Sequence, residues 1–395
     1  MSEAWERIRR GAVHLEVEAH LQEAVDSGRP LRVKLGIDPS SPDIHIGHAV
    51  VLNKLRDFQD AGHLAVLIIG DYTARIGDPS GRSETRKPLT PDEVDRNAET
   101  YLDQVFRVID RDRCEIRRQS EWFGGMTLAD VLVLAGKTTL AQVTQREDFS
   151  KRLKEGHALG LHELLYPLMQ GYDSVAVRSD VELGGTDQLF NLLFARETQR
   201  DNGLPPQDIL TTPVLEGLDG VQKMSKSLGN YVGVTDRPAE MFGKLMSVPD
   251  GLIVSYLRLV GGVGEAEVER VQAALESGQN PRDLKAGMAR AIVSRFHDPD
   301  AGAEAEEEFE ARFRRKEVTE TREAWLPPGI HGASVVATLT ALGLAKSNGE
   351  ARRLVEQRGV RVNGATVEDP FQIYDAADGD LWQVGKQTPL RIKLG

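Results

Sequence analysis

Between residues 32 and 70 the chain spells out a strand, a turn, a helix and a second strand, and few folds accept that order in so short a span. Residues 32–37 (Arg-Val-Lys-Leu-Gly-Ile) read as the first strand, and the proline- and serine-rich stretch 38–43 as a turn. A helix is predicted from near His45 to about Ala61, with Gly62 as its stop and Val51, Leu52, Leu55 and Phe58 as its apolar face. Residues 65–70 (Ala-Val-Leu-Ile-Ile-Gly) form a short, unbroken apolar run, as expected of a parallel strand covered on both faces. Strand, helix and strand make a βαβ unit. Such units build open sheets that take ligands at the carboxyl ends of their strands.

At 395 residues the chain is long enough for two or three domains. Helices are predicted over 92–110 and 127–156, a strand over 174–181 ending in Gly184-Gly185, and a helix over 186–203. The first domain, 1–230 with a helical insertion around 120–160, is expected to end just after a lysine-serine loop. Residues 236–318 read as helical and increasingly acidic. Pro327-Pro328-Gly329 marks a linker, and a compact module fills 332–395.

The net charge of −12 argues against nucleic-acid binding over the whole surface, but leaves room for a local basic patch. A single cysteine, Cys114, excludes an internal disulfide framework and a cysteine-based zinc site, and fits a reducing cytoplasm. No apolar run approaches the roughly 18 residues of a membrane helix, and the first residues lack the apolar stretch of a signal peptide.

Two short motifs carry the chemistry. His45-Ile46-Gly47-His48 sits where the first strand gives way to the helix. A helix start favours anions through its free N–H groups, and residues three apart can face the same way. Gly47 leaves room for a flat ring to approach the backbone. Lys223-Met224-Ser225-Lys226-Ser227 places two flexible point charges between Gly217, Gly220 and Gly229, which suits a loop that closes on moving phosphates. Taken singly, the histidines can be surface or N-cap residues and the loop merely solvated. As a pair the motifs suit holding ATP while its α-phosphate is attacked and pyrophosphate leaves. A zinc pair is not expected, because no further ligand cluster accompanies the histidines.

Other groups converge on the same edge. The loop 77–86 offers glycines, Asp78 and the arginines Arg82 and Arg86. Asp78 can hold an amino group and the arginines pyrophosphate, or the loop is a plain surface turn. Tyr166, Gln170 and Asp173 share one helix face by their spacings of four and three. A phenol, an amide and an acid suit a small zwitterion, although a packed helix face reads the same way. Gly184-Gly185-Thr186-Asp187-Gln188 adds an acid that can bond ribose hydroxyls.

At these residues the chain resembles the class I aminoacyl-tRNA synthetases, and among them the bacterial-type tyrosyl-tRNA synthetases. The two motifs point to the class. Tyr166-x-x-x-Gln170-x-x-Asp173, Gly185-Thr186-Asp187-Gln188 and Gly77-Asp78-Pro79-Ser80-Gly81 point to the tyrosyl branch. The resemblance runs from about residue 30 to the end. It implies an α/β fold: a Rossmann-like parallel-sheet catalytic domain (1–230), a helical anticodon-binding domain (231–328) and a small α+β RNA-binding module (332–395), named after a small-subunit ribosomal protein. It further implies ATP as substrate with Mg2+, no tightly bound cofactor, tyrosine and its tRNA as partners, and a homodimer with contacts near 120–160.

Residue by residue, the resemblance implies that His45 and His48 stabilise the ATP phosphates, and that Lys223, Lys226 and Ser227 close on pyrophosphate with support from Arg82 and Arg86. It puts Asp78, Tyr166 and Gln170 on the amino group of tyrosine, Asp173 on its phenol, Gln188 near its carboxylate and Asp187 on the ribose. Gly36 and Asp38 line the adenylate site, and Gly47, Gly185 and Met224 complete the ATP contacts. One feature departs from many bacterial members, which place a tyrosine beside the phenol at the position of Lys34 and a cysteine at that of Leu35. The residues here resemble a second bacterial subgroup. Lys34 is therefore expected to neutralise Asp173 or to donate to the phenol oxygen itself.

Residues 344–364 carry five basic and two acidic side chains, among them Arg352, Arg353, Arg358 and Arg361. The pattern reads as a basic helix, a glycine stop, a strand and an Asn-Gly turn. In an acidic chain it is a local basic surface suited to an RNA backbone. A helix with scattered arginines is the alternative, and the resemblance favours tRNA. Rival readings are a tryptophanyl-tRNA synthetase, an RNA-binding derivative of a synthetase, and a nucleotidylyltransferase on the same fold.

Overall fold

The computed structural model describes residues 2–39, 43–78, 89–311, 322–385 and 389–394. Its contacts divide into two units, Met1–Glu306 and Glu307–Gly395.

The first unit is built on a six-stranded sheet. Its strands are β1 (His14–Glu16), β2 (Arg32–Ile37), β3 (Leu64–Ile69), β4 (Cys114–Arg118), β5 (Val181–Gly185) and β6 (Asp208–Thr212), in the order β1-β6-β5-β2-β3-β4. All neighbours run parallel except β1, which pairs antiparallel with β6. The chain winds outward from β2 through β3 to β4, and then returns to β5 on the other side. The order therefore reverses between β2 and β5, and a crevice opens there beyond the strands' carboxyl ends.

The predicted βαβ unit is present. The helix Ile46–Asp60 follows β2 and buries Ala49, Leu52, Leu55 and Phe58. It ends before Gly62, whose φ of 90° lies in the left-handed region that glycine tolerates at no steric cost. β3 is buried along nearly its whole length, as its apolar run requires.

Two expectations are corrected. Residues 127–156 are not one helix but three, Leu128–Ala135, Leu140–Val143 and Glu147–Lys154. Thr127 and Thr139 each cap a new start by accepting a backbone N–H three residues on. Residues 174–181 are not a strand. The helix Tyr166–Val177 runs through most of this stretch and stops at Arg178, whose φ is 51°. Val177 packs this helix against Val66 and Ile68 of the sheet, and the helix lies along Leu189–Asp201. The two helices approach so closely that a Cβ on Gly171 would lie 2.5 Å from Thr198 Oγ1.

Beyond β6 the first unit continues as helices Pro238–Met246, Ile253–Val260, Glu265–Glu276 and Pro281–Phe296 and as the first residues of Ala301–Phe309, which carries the chain across the boundary at 306. Asn53 ties them to the βαβ helix. It donates to Leu259 O at 2.9 Å and accepts from Arg295. None of the described helices is long and apolar enough to cross a membrane.

The second unit is a five-stranded sheet, β7 (Arg322–Trp325), β8 (Val360–Val362), β9 (Ala365–Thr366), β10 (Leu381–Val384) and β11 (Leu390–Lys393), ordered β7-β11-β10-β8-β9. Helices Val335–Ala341 and Asn348–Glu356 cover one core around the fully buried Trp382. β7 precedes Pro327-Pro328-Gly329 yet pairs with β11, so this tripeptide turns the chain within the unit.

Candidate active site

At the point where the strand order reverses lies a cleft of ≈ 510 Å3. Strand β2 delivers Gly36 and Asp38 to it, β5 delivers Gly185 and Asp187, and the βαβ helix delivers His45, Gly47 and His48. Asp78, Tyr166, Gln170, Asp173 and Gln188 line it, as do Lys223, Met224, Lys226 and Ser227. Segments far apart in sequence meet because each ends a strand, or begins a helix, on the same edge of the sheet. Arg82 and Arg86 lie outside the described residues.

The two histidine rings are in contact, with centroids 3.9 Å apart and planes tilted by 36°. His45 precedes the helix in extended conformation, and its backbone N–H donates to His48 Nδ1 at 3.2 Å. That bond leaves the His48 proton on Nε2. Burial, with the charges of Lys226 and Lys223 adding to it, lowers the His48 pKa to about 4. Burial, with the charges of His48, Lys226 and Lys223 adding to it, lowers that of His45 to about 2. Both rings are therefore neutral at pH 7 and act as N–H donors rather than as cations. Nδ1 of His45 is buried with no partner among the described residues. A Cβ at residue 47 would lie 2.9 Å from that nitrogen, so the glycine makes room for the His45 ring itself.

The lysine loop is held by Asn230, which is buried. Its Oδ1 accepts from Ser225 N at 2.8 Å, and its Nδ2 donates to Asp219 and to Lys223 O. Met224 is buried and anchors the loop from within, while Lys223 and Ser227 remain exposed. Each lysine is paired with an acid: Lys223 with Asp187 at 3.0 Å, and Lys226 with Asp43 at 2.7 Å.

Tyr166 donates its hydroxyl proton to Asp38 at 2.8 Å, and Thr73 donates to the other oxygen of Asp38 at 2.7 Å. Burial, reinforced by the charges of Asp38 and Asp78, holds the Tyr166 pKa well above its usual value. Its oxygen is left as an acceptor toward the cleft. Gly70 is required here, because a Cβ would fall on the Asp38 carboxylate. Asp78 accepts from Gln188 at 2.9 Å and lies 3.5 Å from the buried guanidinium of Arg146, whose Nε is held by Asp148.

Asp173 is buried beneath these groups. Gln119 Nε2 donates to it at 2.8 Å and Trp122 Nε1 at 3.1 Å. Burial raises its pKa to about 7, against the opposing charge of Lys34 and these two hydrogen bonds. The expectation for Lys34 is corrected. Its ammonium is fully buried and spends its three donors on Glu182 at 2.9 Å, Ser174 Oγ at 2.8 Å and Gln170 O at 3.0 Å. It bonds neither Asp173 nor the cleft, and its partner is Glu182.

Glu182, Gln119, Trp122, Arg146 and Asn230 were absent from the sequence reading. Gln119 and Trp122 reach Asp173 from about 50 residues upstream, just after β4, with no spacing to betray them. Glu182 was detectable in principle, since a charged residue in an apolar strand calls for a buried partner.

In the second unit Arg352, Arg353, Arg358 and Arg361 are all exposed around helix Asn348–Glu356 and strand β8. Arg352 lies over the exposed ring of Phe371 at 5.5 Å and pairs with Glu356, and Arg358 pairs with Glu368.

The family described as tRNA synthetases class I (W and Y) matches residues 26–314, and the S4 domain family matches residues 335–378. The chain is 46% identical to a tyrosine–tRNA ligase of Idiomarina loihiensis, over 100% of this chain and 98% of that protein. It is 49% identical to one of Symbiobacterium thermophilum, over 98% and 96%. Among solved structures it is similar to tyrosyl-tRNA synthetase of Archaeoglobus fulgidus complexed with L-tyrosine, with TM-score 0.63 and 27% identity over 77% of this chain and 99% of that one. A truncated mitochondrial tyrosyl-tRNA synthetase of Aspergillus nidulans shares the fold, with TM-score 0.65 and 19% identity over 79% of this chain and 95% of that one. With the family matched across most of its length and relatives aligned end to end, the chain belongs to the class I tRNA synthetases (W and Y).

Proposed function

We propose that this chain joins L-tyrosine to its cognate tRNA in two steps, through tyrosyl-adenylate. The observation that carries this reading is one cleft lined by both phosphate motifs and by Tyr166, Gln170 and Asp173. The tyrosine carboxylate attacks the α-phosphate of ATP and releases pyrophosphate. A terminal ribose hydroxyl of tRNA then takes the tyrosyl group. Mg2+ enters with ATP, carried by its phosphates and water.

In this reading Asp78, Tyr166 and Gln170 accept from the tyrosine ammonium, Asp173 accepts from the phenol, and Gln188 lies by the carboxylate. Gly36, Asp38, Gly47 and Gly185 shape the adenylate site. Asp187 exchanges Lys223 for the ribose hydroxyls. His45 and His48, as neutral donors, and Lys223, Lys226 and Ser227, with Met224 as anchor, stabilise the charge that develops on the phosphates. Arg82 and Arg86 belong to the same task. No covalent enzyme intermediate is needed, and catalysis comes from positioning and preorganised charge.

Three domains carry the roles. Residues 1–230 activate tyrosine, the helices of 231–328 read the anticodon, and 332–395 hold tRNA through Arg352, Arg353, Arg358 and Arg361. A homodimer fits the exposed apolar residues Leu128, Leu132, Val133 and Leu140 of the helical insertion. A cytoplasmic location fits the lone Cys114. The test is charging of bulk tRNA with labelled tyrosine, tryptophan or phenylalanine. Charging with tyrosine alone supports the reading, and charging with tryptophan or with none refutes it.

A further inference from the structure

We propose that the buried Lys34–Glu182 pair is a positioning device for Gln170, and through it sets the affinity of the cleft for the α-ammonium group of the amino-acid substrate. The proposal rests on the reading that this cleft binds tyrosine.

Lys34 of β2 and Glu182 of β5 are direct partners in the register of two parallel strands. Both side chains are essentially inaccessible to water, and they meet at 2.9 Å. Glu182 Oε1 accepts from Lys34 and also from Gln170 Nε2 at 3.1 Å. Its other oxygen accepts from Ser174 Oγ at 3.2 Å and from Gln207 Nε2. An ionised carboxylate has no proton to give. It can therefore face only the NH2 end of the Gln170 amide, and the amide can bind it in one orientation alone. The amide oxygen is then left for the cleft, and among the described residues no donor takes it. A lone acceptor beside Tyr166 and Asp78 suits an ammonium group.

Lys34 supports this arrangement in two ways. Its ammonium donates to Glu182 Oε1, the same oxygen that accepts from Gln170 Nε2, and so holds the carboxylate where the amide meets it. Its bond to Gln170 O fixes the backbone from which the amide projects.

The test is tyrosine-dependent pyrophosphate exchange by the full chain carrying Lys34→Met. The double variant Lys34→Met/Glu182→Leu serves beside it, since it leaves no orphaned charge to unfold the protein. Loss of one hydrogen bond to a charged group predicts a KM for tyrosine raised about tenfold to a hundredfold, with the KM for ATP unchanged. The preference for tyrosine over phenylalanine should be retained, because both carry the same ammonium. In a Gln170→Ala background either change should add almost nothing, since the two effects share one path. A KM equal to wild type, an equally large effect without Gln170, or a reduced preference for tyrosine over phenylalanine overturns the proposal. If the wild-type chain shows no tyrosine-dependent exchange, the functional reading itself fails, and this inference with it.

Discussion

Lys34 and Glu182 stand opposite one another on neighbouring parallel strands and join at 2.9 Å beneath the cleft, where neither touches water. Burying two charges is costly, and their attraction offsets the cost only if every remaining donor and acceptor is satisfied. Here Ser174, Gln170 and Gln207 complete the set, and Gln199 ties Gln207 to Ser179 and Ser174 through backbone bonds. The pair is bonded to the helix Tyr166–Val177 through Gln170 and Ser174.

Removing one member of that pair strands the other. Lys34→Met is expected to lower stability by about 3–5 kcal/mol, with Lys34→Met/Glu182→Leu recovering most of the loss. The midpoint of urea unfolding checks this. A double variant no more stable than the single one would show that packing, rather than charge, holds the site.

Loss of a preorganised donor at the phosphates should appear in the chemical step. His48→Ala and Lys223→Ala are each expected to slow formation of tyrosyl-adenylate by roughly 10²–10³-fold in single turnovers, with tyrosine affinity nearly unchanged. An unchanged rate would refute the roles given to these residues.

Asp173 must be ionised to accept the phenol proton, and burial raises its pKa to about 7. Below that pH kcat/KM for tyrosine should fall, approaching tenfold per pH unit, whereas kcat/KM for phenylalanine, which offers no hydroxyl, should lack this limb. The sign for stability is the opposite. Between about pH 4 and 7 the folded state holds a proton that the unfolded chain has released, so this group makes stability decline as pH rises through that window. Parallel pH profiles with the two amino acids decide the first point, and a flat profile for tyrosine contradicts it.

The second unit is expected to serve the tRNA step alone. Removing residues 322–395 takes away the whole sheet, β7 included. Tyrosyl-adenylate formation should persist while tRNA charging weakens. Arg352→Ala/Arg353→Ala should weaken charging in the same direction, most at low salt, and make its dependence on salt shallower. Charging unaffected by the truncation would remove the RNA-binding assignment.

Much of this was legible in the sequence for identifiable reasons. β2, the following helix and β3 announce themselves because one is a continuous apolar run and another has a single apolar stripe ending at Gly62. The cleft followed from the rule that parallel strands present ligands at their carboxyl ends. Residues 174–177 were misread because Val175 and Val177 favour strands, whereas this stretch completes a helix that lies along Leu189–Asp201, with Val177 packed on the sheet. The 127–156 helix was overextended because threonine caps were passed over. The partner of Lys34 was missed because it lies 148 residues away, in a register that only the folded sheet defines. Lys34 was assigned to Asp173 because many members of the family place a tyrosine beside the phenol at its position, whereas the folded sheet sets Lys34 against Glu182.

The most direct measurement is exchange of labelled pyrophosphate into ATP by the intact chain with Mg2+, supplied in parallel with tyrosine, phenylalanine or tryptophan. Exchange that requires tyrosine, and is lost in His48→Ala, is the predicted result. Exchange driven by tryptophan, or none from a folded preparation, would contradict the assignment of this cleft to tyrosine activation.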